Sequence, residues 1–328
     1  MPELSVVIPA FNEEGNVEPM YERLTAALGG LVDGLEIVFV DDGSSDGTWD
    51  GISALAARDD RVRGIRFARN FGHQAAVTAG IDAARGLAVV IIDADLQDPP
   101  EVIPELVARW REGFEVVYAQ RERRDGETWF KKLTARLFYR VLRSITNVDI
   151  AVDAGDFRLM GPRALTAFRA LPERNRFIRG LVSWVGFPQA GIRYRRDPRH
   201  SGRTKYPLKK MIRFALDGIT SFSHLPLRLA TWLGFAVSAF AFVYILIVIG
   251  LKMAGINWAG YTSLMASILF LGGVQLIMIG IMGEYLGRIF DEVKNRPLYL
   301  VRESTDGSIP VVPPPHPAPP ASAEALGR

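Results

Sequence analysis

Three hundred and twenty-eight residues are too many for one small domain and point to about two. With 23% charged and 48% hydrophobic residues the chain is not disordered. With no cysteine it has no disulfide framework, no thiol nucleophile and no cysteine-ligated zinc or iron–sulfur site. The net charge of +3 and pI near 9.1 suggest mild basicity, and a mean hydropathy of +0.11 is high for a soluble protein.

In chain order, short β-rich runs alternate with helical patterns. Leu4–Ile8, Glu36–Val40, Val62–Phe67, Leu87–Ile92 and Val116–Ala119 read as strands; Val17–Leu28, Thr48–Ala57, Gln74–Ala84 and Pro100–Glu112 read as helices. Such alternation implies an α/β layer with a mainly parallel sheet. Further on, Trp129, Phe130, Leu133, Leu137, Phe138, Val141, Leu142 and Ile145 recur at helical spacing among lysines and arginines. This is the pattern of an amphipathic helix, lying in a membrane interface or packed on the core. Residues 193–213 hold nine basic residues against one acid, so the rest of the chain is net acidic. Pro207–Phe222 reads as a juxtamembrane helix.

Two charge-free runs follow, 23 residues between Arg228 and Lys252 and 31 between Lys252 and Glu284. Each exceeds the roughly 20 apolar residues that cross about 30 Å of hydrocarbon. Basic residues flank the outer ends, while the connection holds only Lys252, so the positive-inside rule places both long ends in the cytoplasm. No signal peptide is expected: Leu4–Ile8 is too short and has no basic lead. Seven prolines within 310–320 mark a polyproline II-like, disordered tail.

Parallel sheets bind ligands at the carboxyl ends of their strands. Pro9–Glu13 follows the first strand, Asp41–Gly47 the second and Asp93–Asp98 the fourth. No G-x-G-x-x-G follows the first strand and no P-loop is present, which argues against dinucleotide oxidoreductases and P-loop NTPases. Asp93 and Asp95, spaced i, i+2 at a strand end, can reach one hard cation. Mg2+ or Mn2+ suits oxygen ligands shared with substrate phosphates.

The blocks SVVIPAFNEE, VDDGSSDGT, RNFGHQAAVTAG and DADLQDPP, in this order, resemble family 2 glycosyltransferases of the GT-A type. AGDFRLM, LPERNRFIRGLVSWVG, GRTKY and GEYLGRIFDEVKNRPLYLV extend the likeness to polyprenyl-phosphate glycosyltransferases, above all bactoprenol (undecaprenyl-phosphate) glucosyltransferases. The resemblance covers about residues 3–302. It implies a GT-A catalytic domain over 1–224, including juxtamembrane amphipathic helices, and a two-helix anchor over 225–287. A cytoplasmic segment over 288–307 and the proline-rich tail over 308–328 complete the chain.

The resemblance also implies roles. Pro9, Phe11 and Glu13 fall around the nucleotide, Asp41 and Asp42 beside the nucleoside, and Asp93, Ala94 and Asp95 at the diphosphate. Asp93 and Asp95 match the metal pair and Gln97 a further contact near the metal. Asp156 matches the acid proposed as catalytic base, with Arg158 beside it on the same strand face; Asp156 is either a base or sugar-positioning group, or serves to orient Arg158. Arg121, Lys131, Arg203 and Lys205 fall where basic groups meet a lipid phosphate, and 121–127 reads as an acceptor loop. His73 is given no catalytic role.

The implied reaction is inverting transfer of a sugar, glucose from UDP-glucose, to undecaprenyl phosphate at the cytoplasmic face of the bacterial inner membrane. Mannose, amino-arabinose or an N-acetylhexosamine would be alternative sugars. A non-catalytic, membrane-anchored nucleotide-sugar binder is the reading from another class. The implied partners are a UDP-sugar, polyprenyl phosphate, membrane lipids and further copies of the chain, for which the resemblance suggests a tetramer, with no nucleic acid. A processive synthase is disfavoured, because Leu106 stands at the Q position of the sole R-W context, Arg109-Trp110.

Overall fold

β1 (Leu4–Ala10) is buried at all seven positions, which is what its unbroken run LSVVIPA requires: a strand covered on both faces. It pairs in parallel with β2 (Leu35–Asp41) on one side and β4 (Ala88–Ile91) on the other, and β3 (Val62–Phe67) continues the parallel set beyond β2. The helices α1 (Glu14–Leu28), α2 (Thr48–Arg58) and α3 (His73–Ala83) supply the crossovers. The computed structural model describes residues 1–121, 154–174, 176–195, 225–255 and 260–307.

After β4 the chain makes a 3-10 turn (Pro100–Val102), then α4 (Ile103–Arg111) and β5 (Val116–Arg121). β6 (Ala154–Met160) inserts antiparallel between β4 and β5. α5 (Pro162–Arg169) and α6 (Ile178–Trp184) lead to β7 (Gln189–Tyr194), which pairs in parallel with the outer side of β5. The eight-stranded order is β7-β5-β6-β4-β1-β2-β3-β8, so the mainly parallel sheet read from the sequence is present, with β6 and β8 running against it.

Side chains alternate across β1 and build a core on each face. Leu4, Val6 and Ile8 pack with Val17, Met20 and Leu24 of α1, Ile52 of α2 and Leu106 of α4. Val7 faces the other way, towards Ala76, Val77 and Ile81 of α3 and Phe168 of α5. Each large apolar side chain so buried contributes roughly 1.5–3 kcal/mol. α3 comes so close to the sheet that a Cβ at Gly80 would run into Val7 Cγ1.

α7 (Leu225–Met253) and α8 (Tyr261–Lys294) are 29 and 34 residues long. Their apolar windows, Leu227–Met253 and Phe270–Lys294, are not buried in the protein and are long enough to cross a membrane. A Cβ at Gly234 of α7 would sit 3.5 Å from Met278 Cε, so the two helices lie side by side.

α8 does not release the chain into solvent. It ends at Asn295, in the left-handed conformation (φ 49°) that stops a helix. Tyr299 then stacks on Phe67 with ring centroids 5.0 Å apart. β8 (Val301–Ser304) pairs antiparallel with β3, Thr305 exchanges hydrogen bonds with Gly64, and Asp306 accepts from Arg63 Nε at 2.8 Å and Arg85 Nη2 at 3.0 Å. The segment read as a separate cytoplasmic piece, 288–307, thus supplies the last strand of the catalytic sheet. It also puts both flanks of the hairpin on one side of any membrane that α7 and α8 cross.

Candidate active site

The strand order turns about β1, with β2 on one side and β4 on the other, and the loops after these strands meet at their carboxyl ends. The first two loops are tied together. The Asn12 backbone N–H donates to Ser44 Oγ at 2.9 Å, that of Ser45 to Asn12 Oδ1 at 2.9 Å, and that of Glu13 to Thr48 Oγ1 at 2.9 Å. Asn12 takes a positive φ of 56° to make this junction. Pro9 is buried in β1, whereas Phe11 is 45% exposed at the mouth and Glu13 is half-buried and bonded to Asn16.

Asp41 and Asp42 both serve the loops. Asp41 is fully buried; Oδ1 accepts from the Ser44 N–H at 2.9 Å and Oδ2 lies 3.3 Å from Arg66 Nε. Asp42 accepts from the Phe71 N–H at 2.7 Å and the Gly72 N–H at 3.0 Å, fixing the start of α3. Burial raises the Asp42 pKa against those backbone bonds. Gly43, at φ +72°, lets the chain pass where a Cβ would lie 2.5 Å from the Arg69 carbonyl carbon.

At the end of β4, Asp93 and Asp95 flank a tight turn. Ala94 is buried, Leu96 has a φ of 57°, and the Gln97 N–H donates to Asp95 Oδ1 at 3.1 Å. Asp93 Oδ1 is buried without a hydrogen-bond partner, 3.7 Å from His73 Nε2. Burial pushes the Asp93 carboxyl up to about 6; His73 opposes this, and the nearby Asp156, Asp98 and Asp95 add to it. An orphaned carboxylate oxygen among like charges is what a hard, oxygen-loving cation relieves, so Asp93 and Asp95 fit Mg2+ or Mn2+.

β6 brings the third acid. Its antiparallel register pairs Ile91 with Arg158, and two residues further that register sets Asp156 opposite Asp93. Asp156 is 7% exposed. Its Oδ1 accepts from Arg179 Nε at 2.7 Å, and Oδ2 from Arg179 Nη2 at 3.1 Å, with His73 Nε2 at 3.2 Å. Burial disfavours the charge, but the His73 bond and the Arg179 guanidinium outweigh it and hold Asp156 well below the usual carboxylate range. Burial likewise works against a charged His73; the Asp156 bond and the fields of Asp93 and Asp156 win and lift it to about 9.

Among the described residues the hydrogen bonds to Asp156 come from Arg179 and His73, while Arg158 feels its charge. Arg158 is 4% exposed, donates from Nη2 to the Gly155 carbonyl at 2.9 Å, and is lowered to about 10 by burial. Arg121, ending β5, donates from Nε to Tyr194 Oη at 3.2 Å, and its Nη2 lies 3.6 Å from Asp98. Of the other expected phosphate ligands, Lys131, Arg203 and Lys205 lie outside the described residues. So do the segments 129–145 and 207–222, the loop beyond Arg121 and the proline-rich tail. Four residues at this end of the sheet were missed or set aside by sequence reasoning: His73, Asp98, Arg179 and Tyr194. The quoted blocks RNFGHQAAVTAG, DADLQDPP and LPERNRFIRGLVSWVG contain the first three of them; Tyr194 lies outside every block.

A mainly parallel α/β sheet with acids at its strand ends, continued by two apolar helices, defines a membrane-anchored transferase of the GT-A kind. Residues 5–167 match Glycosyl transferase family 2 and residues 225–289 match the GtrB C-terminal hairpin. The chain is 49% identical over 301 residues to the uncharacterized glycosyltransferase YkcC of Bacillus subtilis, covering 92% of this chain and 93% of that protein. It is 44% identical over 306 residues to the bactoprenol glucosyl transferase of Shigella phage SfII, covering 93% and 99%. Among solved structures, glucosyl-3-phosphoglycerate synthase from Mycobacterium tuberculosis, in complex with Mn2+, uridine-diphosphate and phosphoglyceric acid, is similar at 23% identity and a TM-score of 0.48, over 67% of this chain and 76% of that one. The chain belongs to glycosyl transferase family 2, and it is a glycosyltransferase.

Proposed function

We propose that the protein transfers glucose from UDP-glucose to undecaprenyl phosphate at the cytoplasmic face of the membrane, with inversion at the anomeric carbon. The observation that carries this reading is the state of Asp156. Clamped by Arg179 and His73, it stays anionic and is a poor proton acceptor. A site built this way suits an acceptor with no proton to lose. A phosphate monoester, with a second pKa near 6, is already mostly dianionic at neutral pH. Its oxygen attacks the anomeric carbon as the bond to the diphosphate breaks, and UDP leaves with the electron pair. Asp156 then orients Arg179 rather than removing a proton. The naming of 44%-identical relatives as bactoprenol glucosyl transferases supports both the sugar and the lipid.

In this reading Phe11 offers its exposed ring to the base, on a floor shaped by Pro9, Glu13, Asp41 and Asp42. Asp93 and Asp95 would hold Mg2+ or Mn2+, with Gln97 beside them, and the bound cation supplies neutralisation of the diphosphate. Arg121, Lys131, Arg203 and Lys205 would meet the lipid phosphate. The basic residues before α7 and after α8 support a topology with both termini in the cytoplasm.

A panel of radiolabelled nucleotide-sugars, offered to the membrane-embedded protein with undecaprenyl phosphate, tests this. Label is expected in the lipid fraction from UDP-glucose, and chelation of divalent cations should abolish it. Transfer from a different donor alone would overturn the sugar assignment, and transfer to no lipid phosphate would overturn the acceptor.

A further inference from the structure

β5 and β7 run in parallel, and their register sets Arg121 beside Tyr194 at the carboxyl ends of both strands. Behind this pair lies Asp98, 1% exposed, at the end of the turn that carries Asp93 and Asp95. The Tyr194 hydroxyl donates to Asp98 Oδ1 and accepts from Arg121 Nε at 3.2 Å, while Arg121 Nη2 faces Asp98 Oδ2 at 3.6 Å. Three groups from three segments thus close one small ring of hydrogen bond and charge. The Tyr194 ring is set by its edge contact with Phe157, centroids 5.8 Å apart.

This ring is asymmetric. Asp98 is sealed from solvent, so it cannot meet an anionic substrate, whereas the Arg121 side chain is 34% exposed. A carboxylate so deeply buried is costly unless compensated, and its compensation here includes Arg121, a partner that also reaches the surface. Burial and the Asp98 charge raise the Tyr194 phenol, which therefore keeps its proton for Asp98. The direction of Arg121 is set as well: a Cβ at Gly155 would lie 3.1 Å from Nη2, beside Asp156. Arg121 also feels the positive charge of Arg179.

We propose that Tyr194 and Asp98 are positioning residues for the acceptor: they hold the Arg121 guanidinium at the edge of the site, turned towards Gly155, where it meets the phosphate of the lipid. This rests on the reading of the acceptor given above. An arginine fork left to rotate would lose binding strength, because a planar donor is effective only when already aligned. Neither Tyr194 nor Asp98 touches the substrate.

The test is steady-state kinetics of the full-length protein with UDP-glucose and undecaprenyl phosphate, for wild type, Tyr194→Phe and Asp98→Asn. Tyr194→Phe keeps the ring packed on Phe157 and removes only the hydroxyl. The KM for the lipid phosphate is expected to rise about tenfold, the scale of one hydrogen bond to a charged group, with kcat and the donor KM within about twofold. Asp98→Asn should move the same parameter in the same direction. In an Arg121→Ala background, Tyr194→Phe should add nothing, since its effect passes through Arg121. An unchanged lipid KM in both single variants, an equal rise in donor KM, or full additivity with Arg121→Ala would overturn the proposal while wild-type transfer leaves the acceptor reading standing. A wild type that transfers no sugar to lipid phosphate overturns that reading and this proposal together. Should one single variant fail to fold, the other carries the same comparison.

Discussion

Asp156 is where sequence and structure part most informatively. As a lone acid in GDFR it reads as a base beside Arg158. In the structure it is the centre of an ion cluster that takes in Arg179 from α6 and His73 from α3. Asp156→Asn keeps the shape and removes the charge that holds Arg179. We expect kcat to fall about a hundredfold or more, with UDP affinity nearly unchanged; near-normal turnover would reduce Asp156 to a structural part. Stability carries a second signature. The folded-state pKa of Asp156 is depressed, so its contribution is complete above the unfolded carboxylate value of about 3.9 and fades as pH falls towards the folded one. The melting-temperature gap between wild type and Asp156→Asn should therefore be widest between about pH 4 and pH 6.5, close on acidification below about pH 4, and narrow as pH rises towards 9, where His73 loses the proton that Asp156 stabilises. Asp93 and Asp95 were legible because their spacing at a strand end has a meaning by itself. His73, Arg179 and Tyr194 were not, because each reaches the site only through tertiary assembly; Asp98 stood in the same turn, but its partners Arg121 and Tyr194 come from distant strands.

At the scale of elements, the first four strands and helices follow the hydrophobic pattern closely. α1 starts at Glu14 rather than Val17, since its polar first turn, held by the Glu13–Asn16 bond, gives no apolar signal. β7 and β8 went unread, and β6 was read only as the strand face that Asp156 shares with Arg158. β8 is only four residues long and reads VRES; it becomes a strand because the β3 edge is there to receive it. The turn after β2 shows the opposite case, in which one residue type carries the geometry. Gly43→Ala would force a side chain into φ +72° and against the Arg69 backbone. It should cost about 1–3 kcal/mol of stability and displace the loop that carries Ser44 and Ser45. Thermal unfolding and UDP titration check both effects, and a variant that melts and binds like wild type would show that the turn has another solution.

On the scale of the molecule, two apolar helices between two parts of one sheet make an even number of crossings the simplest topology, and the basic flanks predict that both parts lie in the cytoplasm. The absence of native cysteine makes a clean test possible. In intact cells a membrane-impermeant maleimide should label Gly260→Cys, between the helices, and leave Asp60→Cys, on the catalytic domain, untouched until the membrane is opened. The reverse pattern would invert the orientation. The sheet itself also depends on the chain beyond the hairpin. Arg63 is 7% exposed and joins Glu36 at 2.7 Å to Asp306 at 2.8 Å. These ionic contacts tie β8 to strands that precede the membrane helices in the chain.

That return of the chain has a consequence for the order of events during synthesis. β8 leaves the ribosome only after α7 and α8 have been made. Until then β3 presents an open row of backbone donors and acceptors. The open edge of the catalytic sheet is therefore closed by a piece of the chain that is synthesised only after both apolar helices have been made.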